Sequence, residues 1–147
     1  VVNDAANPSV WVSSSVGERA IFAIHSWEIF KESPVIGVGT GDFPSEYKKV
    51  NAVSSMPSHT NTVHPHNMYI LVLTQLGILG LISFLSIFYF QLQFAKVNKS
   101  TFLKNTGIAL PILFLVIMLS DSYLLGHFTT FLFVFFSSFL YKDFASK

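Results

Sequence analysis

The sequence has no cysteine, a single arginine (Arg19) and few charged side chains of any kind. The absence of cysteine excludes a disulfide framework and thiolate metal sites. Charged residues make up 12% of the 147 residues, whereas hydrophobic residues make up 51% and aromatic residues 16%. Together with a mean hydropathy of +0.53, this composition is typical of a membrane protein rather than of a soluble domain.

The sequence also lacks an initiator methionine and the charged, apolar and small-residue segments of a signal peptide. We therefore expect this chain to be the C-terminal part of a larger polytopic protein, with further spans upstream.

Long apolar runs define the expected fold, which is an all-α membrane protein. Transmembrane helices are predicted near residues 66–95, 107–125 and 126–142, because residues 70–94 carry no formal charge and the later runs are almost as apolar. Residues 1–65 are predicted to form a periplasmic loop region. Within it, the helical spacing of the apolar residues predicts an amphipathic helix near 17–31, with Trp27 at the bilayer surface. Residues 44–63 are interpreted as a polar loop.

The distribution of charge predicts the orientation in the membrane. Residues 1–65 carry four basic and six acidic side chains, whereas residues 66–147 carry five basic and two acidic ones. The basic residues of the second part lie in short segments, 96–104 and 142–147, which the positive-inside rule places in the cytoplasm. His66, Asp121 and His127 then share the outer face, which in a bacterium is the periplasm. This pattern indicates contact with membrane lipids rather than nucleic acid, and a reaction there must use a substrate that is already activated.

The sequence His64-Pro65-His66-Asn67 precedes the longest apolar run. Proline is favoured at the first helical position, so Pro65 is predicted to begin the helix, with His66 and Asn67 in its first turn. There the positive end of the helix dipole favours a neutral imidazole, which can act as a general base beside a bound phosphate. The alternative is that His66 only caps the helix.

The three histidines His59, His64 and His66 form the only dense histidine cluster. Their spacing matches no standard zinc pattern, and no acidic residue lies near them in sequence. The sequence therefore predicts no metal site.

Two further polar residues are candidates for substrate binding. The guanidinium of Arg19 can hold a phosphate bidentately, or it can be an ordinary surface charge. Asp121 lies near the outer end of the second apolar run, where an ionisable group is costly. Its carboxylate can position an acceptor hydroxyl, pair with Arg19, or mark the end of the helix.

Glycines recur in two places. Gly37, Gly39 and Gly41 alternate in the segment VIGVGTGDF, which either turns tightly or wraps a ligand; no nucleotide motif is present. Gly77 and Gly80 are predicted to lie below His66 on one helix face, where they allow another helix to approach closely.

In order along the chain, GER around Arg19, the segment SPVIGVGTGDF, a polar loop and HPHN followed by Gly77 resemble the O-antigen ligase and polymerase superfamily. The resemblance covers roughly residues 17–90, and these proteins are multi-span enzymes of the bacterial inner membrane.

The resemblance implies a metal-independent glycosyltransferase without cofactor that is active at the periplasmic face. It implies transfer of glycan from undecaprenyl-pyrophosphate to an acceptor hydroxyl, on lipid A core in a ligase, on another carrier-linked unit in a polymerase, or on protein in an O-oligosaccharyltransferase. His66 is the implied catalytic base, and the candidate substrate-binding residues are Arg19, His64, Asn67 and Asp121. The alternative of another class is a non-catalytic segment of a membrane transporter.

Overall fold

The computed structural model describes residues 14–56, 58 and 61–141, and this part of the chain is helical. Its helices are α1 (Ser15–Glu32), α2 (Phe43–Val53), α3 (Met68–Lys96), α4 (Thr101–Ile117) and α5 (His127–Leu140), with a 3₁₀ turn at Tyr123–Leu125. No strand occurs within these ranges. The predicted all-α architecture is thus confirmed for the described residues.

Helix α1 covers the predicted amphipathic segment. The side chain of Ser14 accepts a hydrogen bond from the Gly17 backbone N–H and so caps the helix. Its buried residues form a stripe at positions 21, 22, 25, 26, 29 and 30 that packs against the rest of the chain, with His25 and Ser26 among them. Trp27 is 53% exposed, on the opposite side. Its predicted location at the bilayer surface stays a prediction.

Helix α2 lies where a polar loop is predicted, so that prediction is wrong for residues 44–53. Phe43 and Tyr47, one helical turn apart, are both fully buried, and Pro44 and Glu46 suit the first turn of a helix. The ring of Tyr47 meets that of Phe22 on α1 edge-on, with ring centroids 5.8 Å apart. Because the remaining positions are mostly polar, two aromatic anchors in eleven residues give too weak a periodic pattern for the sequence to reveal this helix.

Helix α3 is interrupted at Gly77, whose φ of 64° is left-handed. In a continuous helix the carbonyls of Thr74 and Gln75 accept hydrogen bonds from the N–H groups of residues 78 and 79. Here they accept instead from Val38 N at 3.0 Å and Gly39 N at 3.0 Å.

The freed N–H groups of α3 bond back to the same segment. The N–H of residue 78 donates to Pro34 O at 2.9 Å, and that of residue 79 donates to Val35 O at 3.2 Å. The segment 34–39 and the helix thus exchange backbone hydrogen bonds reciprocally, so the break leaves none of these groups unpaired.

The break corrects the interpretation of Gly77 as a packing residue below His66 on a continuous helix. The glycine is required for another reason, since a Cβ on Gly77 would collide with the carbonyl of Val35. Gly37 is constrained in the same way by the Gln75 backbone, so the glycine segment turns tightly onto α3.

Helices α3, α4 and α5 pack side by side. Their aromatic core contains Phe114 and Phe133, whose ring centroids lie 4.7 Å apart, and Phe88, at 5.5 Å from Phe133. At one end the hydroxyl of Tyr141 donates to Gly107 O at 2.6 Å. At the other end Met68 N donates to Met118 O at 3.0 Å. This second end, called the site end below, carries residues 62–68 and 118–128.

Among the described helices, α3 is the one long and apolar enough to cross a membrane, with 29 residues. The part after the break at Gly77, residues 78–96, spans roughly 28 Å at 1.5 Å per residue, close to the thickness of a hydrocarbon core of about 30 Å. Helices α4 and α5 are apolar but shorter, with 17 and 14 residues. The predicted count of three crossings stays a prediction.

Replacement of Gly77 by alanine is expected to lower the thermal stability strongly. The new methyl group meets the Val35 carbonyl, and the left-handed backbone adds a cost of about 1 kcal/mol or more. The matched control is Gly41→Ala, since Gly41 also has a positive φ of 89° but nothing lies within 4 Å of its added Cβ. Thermal unfolding of the purified full-length protein in detergent measures the stability of both variants against the wild type. Equal shifts in the two variants would show that the contact with residue 35 is unimportant.

Stability is also expected to fall as the pH drops below about 6.5. His25 is 2% exposed and hydrogen-bonded to the Ser54 hydroxyl at 2.9 Å. Burial lowers its pKa from the ordinary 6.5, an effect that a hydrogen bond with the Met56 backbone and the charge of Glu28 oppose in part. The unfolded chain then binds the proton more tightly, so this contribution is complete above pH 6.5 and is lost as the pH falls. Thermal melts between pH 8 and 5 should show a smaller loss in His25→Gln than in the wild type. The control, His127→Gln, should retain the wild-type slope.

Candidate active site

The site is built on the short segment that leads into α3. His66 has a φ of 52°, a left-handed conformation that is uncommon for a residue with a side chain. Asn67 is the N-cap, and α3 begins at Met68. The predicted register, with Pro65 at the first helical position and His66 in the first turn, is therefore wrong. His66 lies before the helix, so the argument from the helix dipole does not apply to it.

The side chain of Asn67 explains where the helix begins. Its Oδ1 accepts hydrogen bonds from the N–H groups of Tyr69 at 3.0 Å and Ile70 at 3.1 Å. Its Nδ2 donates to Leu119 O at 3.0 Å. Asn67 thereby caps α3 and ties it to the end of α4. These contacts give Asn67 a structural role, and its predicted contact with substrate stays a prediction.

His66 and Asp121 meet at the site end although they are 55 residues apart in sequence. His66 Nδ1 lies 3.2 Å from Asp121 Oδ1, and the two side chains are 35% and 40% exposed. The same carboxylate oxygen accepts from the Ser122 backbone N–H at 2.7 Å, which fixes its orientation. With Nδ1–H donating to Asp121, the lone pair of His66 is on Nε2, the arrangement of an oriented general base.

Helix α1 covers the other side of His66. The ring of Phe22 stacks on the imidazole with ring centroids 5.8 Å apart and planes 23° from parallel. Arg19 lies three residues before Phe22, so the two side chains are neighbours on the surface of α1. Arg19 is exposed and has no ion pair with the residues that the structure describes. The structure thus connects the helix that carries Arg19 to His66 through Phe22, which sequence reasoning missed.

His64 is the second histidine of the site. Its ring meets that of His66 edge-on at 4.4 Å, and its Nδ1 lies 3.8 Å from Asp121 Oδ1. That Nδ1 is buried and makes no hydrogen bond within the described part of the chain. Burial and the neighbouring His66 lower the pKa of His64, and Asp121 opposes them in part. The neutral form of His64 is therefore favoured.

A cavity of about 430 Å³ opens beside His64 and Asp121. Its other walls come from the 3₁₀ turn and the start of α5, and they combine aromatic and hydroxyl side chains with His127: Ser122, Tyr123, Leu125, Gly126, His127, Phe128 and Thr129. A larger cavity of about 550 Å³ lies between α1 and α2, next to His25, and none of its lining residues belongs to the His66 site.

Asp121 changes the assessment of metal binding. His64, His66 and Asp121 have ligand atoms within 4.8 Å of one another. The acid that is absent near the histidines in sequence is therefore supplied by the segment after α4. His59, the third histidine of the predicted cluster, lies outside the described residues. Pairing of Asp121 with Arg19, one of the alternatives for this residue, is not seen, since both ion pairs of Asp121 within the described ranges are with histidines.

A family model described as O-antigen ligase matches residues 3–85, more than half of the chain. The chain belongs to the O-antigen ligase family. No curated protein and no solved structure gives a significant match.

The family match confirms the resemblance predicted from the sequence. The matched residues of this O-antigen ligase family member include Arg19, His64, His66 and Asn67, while Asp121 lies beyond them. Membership places the chain among membrane-associated enzymes of the O-antigen ligase and polymerase type, a glycosyltransferase-like class that acts in lipopolysaccharide biosynthesis.

Proposed function

We propose that the protein transfers glycan from undecaprenyl-pyrophosphate to an acceptor hydroxyl, as an O-antigen ligase that acts on lipid A core. The observation that carries this proposal is the hydrogen bond of His66 Nδ1 to Asp121 at 3.2 Å, which leaves Nε2 free to accept a proton. The family match supplies the class of reaction.

In this mechanism His66 Nε2 takes the proton of the acceptor hydroxyl. The acceptor oxygen attacks the anomeric carbon of the donor sugar, and the bond from that carbon to the phosphate oxygen breaks. The electron pair leaves with undecaprenyl pyrophosphate. Asp121 stabilises the imidazolium that forms and keeps the ring in the required tautomer. No metal or cofactor is assigned to the reaction, because the donor is already activated.

Arg19 is assigned to the pyrophosphate of the donor. It is the single arginine of the sequence, it is exposed on α1, and it neighbours Phe22, which stacks on His66. A guanidinium offers two parallel N–H donors that match phosphate oxygens, and it stabilises the negative charge that develops on the leaving group. His64 and Asp121 line the cavity on the other side, where the acceptor is proposed to bind.

The site end is assigned to the periplasm of a multi-pass inner-membrane protein. Residues 62–68 and 118–128 lie at one end of the helix bundle, and Gly107 and Tyr141 meet at the other. The lysines of the connection between α3 and α4 lie toward the end with Gly107 and Tyr141, opposite the site end. The positive-inside rule assigns that end to the cytoplasm.

An O-antigen polymerase or a protein O-oligosaccharyltransferase would use the same base and the same donor contact. They differ from a ligase in the acceptor hydroxyl. The three functions are therefore distinguished by their glycosylated products and not by the chemistry of His66.

We expect His66→Ala and Arg19→Ala in the full-length protein to abolish surface glycan while protein levels stay normal. The first change removes the base, and the second removes the contact with the leaving group. Electrophoresis of lipopolysaccharide from cells that carry each variant measures the outcome. The matched control for Arg19 is Lys31→Ala, an exposed cation of the same helix that pairs with Glu28 at 2.6 Å.

Unchanged surface glycan in both variants would contradict the proposed glycosyltransferase function and would favour a non-catalytic membrane segment. In a deletion strain, bare core with accumulated carrier-linked polymer indicates a ligase. Core that carries one repeat unit indicates a polymerase.

Asp121→Asn is expected to lower kcat by roughly 10²-fold to 10⁴-fold, the size of a general-base contribution, with little change in KM. The amide still accepts a hydrogen bond, but it no longer stabilises the imidazolium. Steady-state transfer assays with purified full-length protein measure the effect. Asp42→Asn, at the N-cap of α2, is the control carboxylate. A rise in KM alone would assign Asp121 to acceptor binding instead.

A further inference from the structure

The two histidines and the carboxylate of the site have the geometry of a metal-ligand set. Zinc binds histidine nitrogen and carboxylate oxygen at about 2.0–2.2 Å, so ligand atoms around a tetrahedral ion lie roughly 3.4 Å apart. The distances from Asp121 Oδ1 are 3.2 Å to His66 Nδ1 and 3.8 Å to His64 Nδ1. All three ligand atoms lie within 4.8 Å of one another. Side-chain rotations that bring the longest of these separations to about 3.4 Å would close the set.

His64 supplies an independent observation. Its Nδ1 is buried and makes no hydrogen bond with the described residues, although a buried polar atom without a partner is costly. The same atom faces the carboxylate of Asp121. In a neutral imidazole whose other nitrogen carries the proton, this Nδ1 presents a lone pair, which is the form that coordinates a metal.

The cluster also has room for a fourth ligand. The cavity of about 430 Å³ borders His64 and Asp121, so a water molecule can reach the ion from that side. Three protein ligands with one open position are the usual arrangement of an accessible zinc site.

We propose that His64, His66 and Asp121 bind a zinc ion or a similar divalent transition metal, and that this ion inhibits the enzyme. The inhibitory part rests on the proposed role of His66 as the base. The ligand class follows from the donors, because two imidazoles and one carboxylate suit zinc, whereas magnesium prefers an all-oxygen shell.

Inhibition follows from the position of one proton. For catalysis Nδ1–H of His66 donates to Asp121, and the lone pair is on Nε2. A metal on Nδ1 requires the lone pair there, so the proton of the neutral ring moves to Nε2. Nε2 then cannot accept the proton of the acceptor hydroxyl. The same ion occupies the carboxylate that would stabilise the imidazolium.

Calorimetric titration of the purified full-length protein with zinc chloride, without substrate, tests the site. We expect one zinc per chain, at least tenfold weaker binding in His64→Gln and Asp121→Ala, and unchanged binding in His127→Gln. His127 is the matched control because it lines the same cavity without belonging to the cluster. His64→Cys retains a zinc ligand and should restore binding. Millimolar magnesium should not displace the zinc.

A second measurement does not depend on any variant. X-ray absorption at the zinc edge of the wild-type complex should show two imidazole ligands and no sulfur. Fewer than two imidazoles, zinc affinity equal in His64→Gln and the wild type, or no binding at millimolar zinc would each overturn the proposal.

Activity separates the two proposals. Zinc should inhibit transfer by the wild type, a chelator should restore it, and His64→Gln should need at least tenfold more zinc for the same inhibition. If zinc binds as expected but His66→Ala remains active, the metal site stands and the proposed role of His66 fails. If His66→Ala is inactive and zinc does not bind, the proposed function stands and the metal site fails.

Discussion

The structure depends on the exchange of backbone hydrogen bonds at Gly77. Segment 34–39 donates to two carbonyls of α3 and accepts from two of its N–H groups, at distances of 2.9 to 3.2 Å. In an apolar environment an unpaired backbone group costs several kcal/mol, so a broken helix is tolerated only where another segment satisfies the freed groups. The break in α3 and the glycine-rich turn therefore depend on each other, because each satisfies the backbone groups that the other leaves unpaired.

Because that turn follows α1 directly, the exchange also holds the end of α1 against α3. Phe22, on the same helix, can then stack on His66.

A second tie brings Asp121 to His66, the proposed base. Met68 N bonds to Met118 O at 3.0 Å, and Asn67 Nδ2 bonds to Leu119 O at 3.0 Å, so the start of α3 is joined to the end of α4. Asp121 follows three residues after the first of these carbonyls and is placed beside the histidines by the turn of the chain. The two ties act on opposite sides of His66, one through α1 and one through α4. The site is thus assembled by backbone contacts of residues that carry no chemistry themselves.

Much of this was accessible from the sequence, and the exceptions have physical reasons. The apolar runs, the helix near residues 17–31 and the family resemblance follow from composition, periodicity and the order of motifs, whereas the catalytic role of His66 stays a prediction. The positive φ values of Gly37, Gly39 and Gly41 agree with a tight turn, one of the two alternatives for that segment. The break at Gly77 could not be predicted, because a glycine within an apolar run is compatible with an unbroken helix. The pairing of His66 with Asp121 was also inaccessible, since it joins two loops through a tertiary contact that no local spacing encodes.

The predicted register of α3 is wrong because Pro65 and Asn67 are both good helix-start signals. The two hydrogen bonds that Asn67 accepts decide between them.

The backbone of His66 indicates that its side chain, rather than its position at a helix end, determines the residue type. A φ of 52° costs a residue with a Cβ of order 1 kcal/mol or more, and glycine would adopt it without strain. A residue that only capped the helix would not need this conformation, and Asn67 already performs that role. The cost is offset by fixed contacts on both sides of the ring, the stack with Phe22 and the hydrogen bond to Asp121. Since these contacts hold the imidazole in one orientation, the proposed reaction does not have to order it. A histidine strained at its backbone and constrained at its ring is what a preorganised base requires, and the same rigidity makes it a ready ligand for a metal.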